Sequence, residues 1–141
     1  MTPGRAGAYY LRATGMVMAL RLLLPWARLP RILGWITPPR LGPPCPAGEL
    51  SGLIRYLRIL CRLGWPTRGT CLPLSLAVFH AACRLGVPVT WHCGVRPEGS
   101  ELAGHAWLTL HGEPFLNCPD TRRPFAQVLF LPAPPAPEPP S

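Results

Sequence analysis

Apolar and polar residues recur with two different periods along this chain. From Glu49 to Leu63 the apolar residues return every three or four positions, which predicts an amphipathic helix. Its predicted buried stripe comprises Leu50, Leu53, Ile54, Leu57 and Leu60. Arg55, Arg58 and Arg62 fall outside this stripe and are interpreted as a solvated face, with steering of an acidic peptide as the alternative. A second helical pattern, from Cys71 to Leu85, is apolar on most sides and predicts a largely buried helix.

Beyond residue 86 the period shortens to two, which is typical of strands. The pattern predicts a first strand over Val87 to Val95, a loop over Arg96 to Gly104, and a second strand over His105 to His111. Gly112 is a predicted hairpin turn, after which Pro114 to Asn117 begins a third strand. Phe125 to Leu131 is predicted to be a fourth element of uncertain type.

The two ends of the chain differ from this central part. Residues 1–44 are punctuated by proline and predict a helix over Tyr9 to Leu24 and a shorter one over Arg31 to Ile36. We interpret them as a helical region packed on the core, with contact to a membrane surface or a partner as the alternative. Residues 45–131 form the predicted main domain, and residues 132–141, with six prolines, a disordered tail.

Composition narrows the class of protein. The 141 residues are 48% hydrophobic and 14% charged, which favours one packed domain. All 14 basic residues are arginine, and the net charge of +8 indicates an acidic partner such as a peptide or an anionic membrane. The arginines are dispersed, and no basic cluster is interleaved with aromatic residues, so we expect no nucleic-acid binding.

The six cysteines include no Cys-x-x-Cys pair, so we expect neither a structural zinc site nor any other cofactor. A zinc site built from Cys93, Cys118 and nearby histidines is the weaker alternative.

Arg21 interrupts the apolar stretch near the amino terminus, which argues against a secretory signal and a membrane span. We therefore expect reduced thiols and a cytoplasmic location.

Cys71 and His105 are the strongest candidates for chemistry. Cys71 begins a predicted helix, where unpaired N–H groups and the helix dipole stabilise a thiolate. His105 lies on a predicted strand and could serve as the base of that nucleophile. His80 is on the helix of Cys71 but more than two turns away, so it cannot reach the thiol.

A third group is needed to accept the other N–H of the imidazole. Asn117 is the favoured candidate, because the turn at Gly112 returns the third strand alongside His105. Asp120, the chain's single aspartate, is the alternative, although it lies beyond Pro119 in a predicted turn. An amide oxygen would stabilise an imidazolium less than a carboxylate, which predicts a slow enzyme.

The motifs around these residues resemble the lasso-peptide B proteins, over about residues 45–131. The resemblance rests on Cys71-Leu72-Pro73, Ser75-Leu76-Ala77, Arg84-Leu85-Gly86, Gly94-Val95, Gly104-His105-Ala106-Trp107 and Gly112. Where that family has an acidic residue, this chain has Asn117, and Leu74 replaces an often polar residue.

The resemblance implies an α+β fold of transglutaminase-like or papain-like type, with the nucleophile helix packed on a small antiparallel sheet. It implies a cysteine peptidase that removes the leader from a ribosomally made lasso-peptide precursor, using Cys71 and His105. The implied partners are the precursor peptide, a small leader-recognition protein and a macrolactam synthetase. The alternative is a non-catalytic scaffold that retains the fold.

Overall fold

The computed structural model describes residues 3–24, 26–45, 48–64, 71–117, 119 and 124–136. Within them lie the helices α1 (Pro3–Leu23), α2 (Leu29–Ile36), α3 (Glu49–Gly64) and α4 (Cys71–Arg84). The strands are β1 (Val89–Glu98), β2 (Glu101–Leu110), β3 (Glu113–Leu116) and β4 (Ala126–Leu131). These elements confirm the predicted α+β class.

The four strands form one antiparallel sheet in the order β3-β2-β1-β4. The predicted turn at Gly112 is confirmed, because β2 and β3 pair across it with Leu108 opposite Leu116. The element of uncertain type near the carboxyl end is a strand, which pairs with β1 and forms the second edge of the sheet.

The prediction of a loop over Arg96 to Gly104 is wrong. β1 and β2 continue through that segment and pair until Glu98 lies opposite Glu101, so Gly99 and Ser100 alone form the turn. Gly99 has a φ of +66°, a conformation that glycine adopts without steric cost. Pro97 is tolerated in the strand because β4 pairs with β1 only as far as Val95, so its missing N–H removes no bond to β4.

Helix α4 lies at the centre of the fold and packs on β1, β2 and the other three helices. Almost every side chain from Pro73 to Cys83 is buried, as the all-round apolar pattern predicts. Helix α3 buries Leu53, Leu57 and Cys61 and exposes its three arginines. The sheet contributes Trp91 and Leu108, opposite each other in register, to the same core.

The amino-terminal helices share this core. Val17 and Leu20 of α1 and Ile32 of α2 are buried in the same cluster as the side chains of α4. No helix within the described residues is both long enough and apolar enough to cross a membrane. At the other end of the chain, the carbonyl oxygen of Pro135 accepts a hydrogen bond from the Leu41 N–H, and residues 137–141 lie outside the described residues.

Candidate active site

A cavity of about 250 Å³ brings together the three favoured residues of the sequence analysis. Its lining comprises Arg58, Cys61, Arg62, Cys71, Leu74, His105 and Asn117. The end of α3, the beginning of α4 and the sheet supply these residues, so the site depends on tertiary packing.

Cys71 is the first residue of α4 and is half-buried. The N–H groups of the first turn of a helix have no intrahelical partner and carry the positive end of the dipole. The start of a helix is a position where reactive cysteines occur, and the half-buried side chain of Cys71 keeps partial access to solvent.

His105 lies on β2, and its Nε2 atom is 2.6 Å from the main-chain carbonyl oxygen of Asn117. Because a carbonyl oxygen only accepts hydrogen bonds, Nε2 carries the hydrogen. In the neutral ring Nδ1 therefore holds the lone pair and is the atom available to accept a proton. The ring shares the cavity with Cys71, while its hydrogen bond within the described residues goes to Asn117.

The contact from Asn117 differs from the sequence argument in one respect. The acceptor expected from the sequence was the side-chain amide of Asn117, whereas the observed acceptor is its main-chain carbonyl. Asn117 follows directly on β3 and has a φ of +55°, a left-handed conformation that asparagine tolerates better than most residues. Asp120, the alternative third residue, lies outside the described residues.

Two aromatic rings pack against His105 and against each other. The rings of Trp107 and Phe125 stack on it, with centroids 6.0 Å and 5.2 Å away. The guanidinium carbon of Arg96 lies 4.3 Å from the centroid of Phe125. The proximity of Trp107 to His105 could be predicted from the sequence, because residues two apart on a strand share a face. The proximity of Phe125 could not be predicted, since only the pairing of β4 with β1 brings it near His105.

The other described cysteines are poor nucleophiles. Burial raises the pKa of the Cys61 thiol to about 11 and that of Cys83 to about 12. Burial also raises the pKa of Cys93, and the electrostatic interaction with Cys71 raises it further. Burial, then the charge of Glu49, raises the pKa of Cys45. Cys118 lies outside the described residues.

The remaining candidate residues have structural contacts. His92 bonds Gln127 and Thr109 through its two ring nitrogens, and His80 bonds the carbonyl of Ile36. Ser75, fully buried on α4, accepts a hydrogen bond of 2.9 Å from the indole N–H of Trp91. Among the described residues, no group of three or more His, Cys, Asp or Glu side chains is arranged to hold a metal ion.

Arg58 and Arg62 are the site residues that sequence analysis assigned elsewhere. Both are exposed, as predicted for a solvated face, yet both line the cavity of Cys71. Their helix is followed by six residues outside the described part of the chain, after which α4 begins. The sequence spacing alone therefore contains no signal for this proximity.

Residues 13–130 match the transglutaminase-like superfamily, and the chain belongs to it. The matched segment contains both Cys71 and His105. This superfamily includes cysteine proteases and transglutaminases. No curated protein and no solved structure matches the chain.

Proposed function

We propose that this protein is a cysteine peptidase that removes the leader peptide from a ribosomally made lasso-peptide precursor. The single observation that supports peptidase chemistry best is the cavity shared by Cys71 and His105 in a transglutaminase-like fold. The substrate assignment rests on the resemblance of the cysteine and histidine motifs to those of the lasso-peptide B proteins.

In the proposed reaction, Nδ1 of His105 takes the thiol proton of Cys71. The thiolate attacks the scissile carbonyl carbon, and main-chain N–H groups at the start of α4 stabilise the resulting oxyanion. When the carbon–nitrogen bond breaks, the imidazolium of His105 protonates the leaving amine, which is the amino terminus of the core peptide.

The second half of the reaction releases the leader. His105 takes a proton from a water molecule, and the hydroxide attacks the thioester carbonyl. The carbon–sulfur bond breaks, the leader leaves with a free carboxyl group, and Cys71 recovers its proton. The carbonyl of Asn117 keeps Nε2 protonated throughout, so Nδ1 remains the atom that exchanges protons.

The free His105 ring does not need to touch Cys71 before the substrate enters. Catalytic hydrogen bonds are often long without substrate and shorten when it binds. The cavity that both side chains line has a volume of about 250 Å³, enough for the atoms of a scissile peptide.

The proposed partners are a small protein that holds the leader and a macrolactam synthetase that closes the ring on the freed amine. Both would act with the peptidase in the cytoplasm. The high net charge of +8 supports an acidic peptide as the species that this protein meets.

The proposal is tested by incubating the protein with the precursor peptide and recognition protein encoded beside it, and by measuring peptide masses over time. We expect loss of the leader with wild-type protein and none with Cys71→Ala or His105→Ala. Absence of cleavage by the wild type, or full cleavage by Cys71→Ala, would contradict the proposal. Binding of the precursor without cleavage would instead favour the scaffold function.

A further inference from the structure

Two arginines of α3 occupy one wall of the candidate active-site cavity. Arg58 and Arg62 are four residues apart, so they lie one helical turn apart on the same face. Both are exposed, and neither belongs to the buried core. Their position is therefore not required by packing.

Their charges are not matched by the part of the chain that the structure describes. The described carboxylates are Glu49 at the beginning of α3, Glu98 and Glu101 beside the hairpin turn, and Glu113 in β3, and none of them lines the cavity. Among the described residues, neither Arg58 nor Arg62 has an ion-pair partner. Two guanidinium groups thus line the same cavity as Cys71 and His105.

We infer that Arg58 and Arg62 bind the carboxylate of an acidic substrate residue close to the scissile bond. A guanidinium offers two parallel N–H donors that match the two oxygens of a carboxylate, and two such groups one turn apart can hold it from two sides. The inference rests on the proposed peptidase function, which it extends by assigning a substrate class. An aspartate or glutamate beside the cleaved bond would place the scissile carbonyl against Cys71.

The test uses the precursor peptide with each aspartate or glutamate within four positions of the cleaved bond changed to its amide. With wild-type protein, one such change is expected to lower kcat/KM about tenfold or more, as expected for loss of a charge-assisted bond. The same peptide change should cost less than about twofold in the Arg58→Gln, Arg62→Gln double variant, because the interacting group is already gone. Arg55→Gln, on the same helix but outside the cavity, is the matched control and should behave like wild type.

The outcomes separate this inference from the proposed function. If wild-type protein cleaves no peptide, the peptidase proposal fails. If it cleaves the acidic and amide peptides equally well, or cleaves a precursor without an acidic residue near the bond, only the arginine assignment fails. Equal losses in Arg55→Gln and in the double variant would also overturn it, since the effect would then be one of overall charge.

A different surface supports a second, independent inference. Leu11, Met18 and Leu22 of α1 are all exposed, and their spacing of seven and four residues places them on one face of the helix. The opposite face carries Ala13, Val17 and Leu20, which are buried. Helix α1 is therefore apolar on both sides, and the outer stripe extends over about 17 Å at 1.5 Å per residue.

Trp26 lies three residues beyond Leu23, the last residue of α1. Its side chain is 88% exposed, and its main-chain N–H donates a hydrogen bond to the main-chain carbonyl of Leu23. Arg28 and Arg31 line a cavity with it, and both are exposed. An exposed tryptophan flanked by arginines combines a side chain suited to the bilayer interface with charges that attract anionic lipid head groups.

We propose that the stripe of Leu11, Met18 and Leu22, together with Trp26, rests on an anionic membrane surface, with the helix parallel to it. The charges favour a lipid surface over a second copy of this chain, whose matching face would be equally cationic. Binding would not require the helix to cross the bilayer.

Sedimentation of the full chain with lipid vesicles tests this inference. We expect binding to vesicles of phosphatidylcholine with phosphatidylglycerol, and at least about tenfold weaker binding to phosphatidylcholine alone. Leu22→Asp and Trp26→Asp should each weaken binding, whereas Leu102→Asp, at a site 70% exposed on the sheet, should not. Absence of binding to anionic vesicles, an equal loss in Leu102→Asp, or a dimer that Leu22→Asp dissociates would overturn it.

Discussion

The Nε2 atom of His105 lies 2.6 Å from the main-chain carbonyl oxygen of Asn117, twelve residues further along the chain. The identity of the side chain at position 117 therefore acts on the histidine through backbone conformation. A φ of +55° is adopted readily by glycine and asparagine, and costs about 1–2 kcal/mol for residues with a bulky Cβ.

Substitution of Asn117 distinguishes the main chain from the amide as the acceptor. Asn117→Gly removes the amide but permits the backbone conformation, so leader cleavage should stay within about threefold of wild type. Asn117→Val strains the left-handed conformation and should slow cleavage about tenfold or more. Equal losses in the two variants would show that the amide holds the histidine. If Asp120→Asn abolishes cleavage while Asn117→Gly remains active, the aspartate is the residue that orients His105.

Gly94 is predicted to be intolerant of any side chain. It lies opposite His105 in the pairing of β1 with β2, and an added Cβ would approach the Ala126 carbonyl oxygen to 2.9 Å and the Trp107 ring to 3.0 Å. Gly94→Ala should therefore displace β4 or the rings around His105, lowering the free energy of unfolding by about 1–3 kcal/mol. Chemical denaturation measures the stability, and the leader-cleavage assay measures the effect on the site.

Gly104→Ala is the matched control for that experiment. Gly104 immediately precedes His105, yet a Cβ there would meet no heavy atom within 4 Å. Its stability and cleavage rate should remain close to those of wild type. If both alanine variants are equally destabilised, the crowding around Gly94 is not the cause.

Thiol labelling should single out Cys71 among the described cysteines. The raised pKa values of about 11 for Cys61 and about 12 for Cys83 leave almost no thiolate at pH 7, and those of Cys45 and Cys93 are also raised. Iodoacetamide reacts with thiolates, so peptide mapping after brief treatment near pH 7 should find Cys71 modified first. The rapid phase should disappear in Cys71→Ala. Uniform slow labelling of all six cysteines would favour the scaffold function over the enzyme.

The lowered pKa of His80 predicts that the protein loses stability in mild acid. Burial lowers its pKa below the ordinary value of 6.5, the nearby charge of Arg12 lowers it further, and the bond to Ile36 opposes both effects. As the pH falls below 6.5 the unfolded chain binds a proton that the folded chain does not, so the free energy of unfolding decreases. The decrease ends once the folded histidine also protonates, and its slope is at most about 1.4 kcal/mol per pH unit.

Denaturation curves of wild type and His80→Asn between pH 7.5 and 5 test this expectation. His80→Asn should be less stable at pH 7.5 but should show a shallower decrease toward pH 5, because the titrating group is absent. An identical slope in the two proteins would show that other groups cause the acid sensitivity.

Elements whose formation has a local cause could be predicted from the amino-acid pattern. The three-to-four-residue period predicted α3 and α4, and Gly112 predicted the turn that pairs Leu108 with Leu116. The prediction from sequence failed at Arg96 to Gly104, where a continuous hairpin replaces the expected loop, because a segment containing Pro97 and Gly99 has the composition of a loop. Only the register of β1 against β2 shows that Gly99 provides a two-residue turn within a continuous hairpin.

The site was determined in part by the sequence. Cys71 at a helix start and His105 on a strand carry local signals, because helix dipoles and strand alternation are properties of short segments. The residues that surround Cys71 and His105 depend on contacts between distant elements. Phe125 reaches His105 through the pairing of β4 with β1, and Arg58 and Arg62 reach the cavity through the packing of α3 on α4. Such contacts depend on how distant elements meet, and no periodicity within either element encodes that meeting.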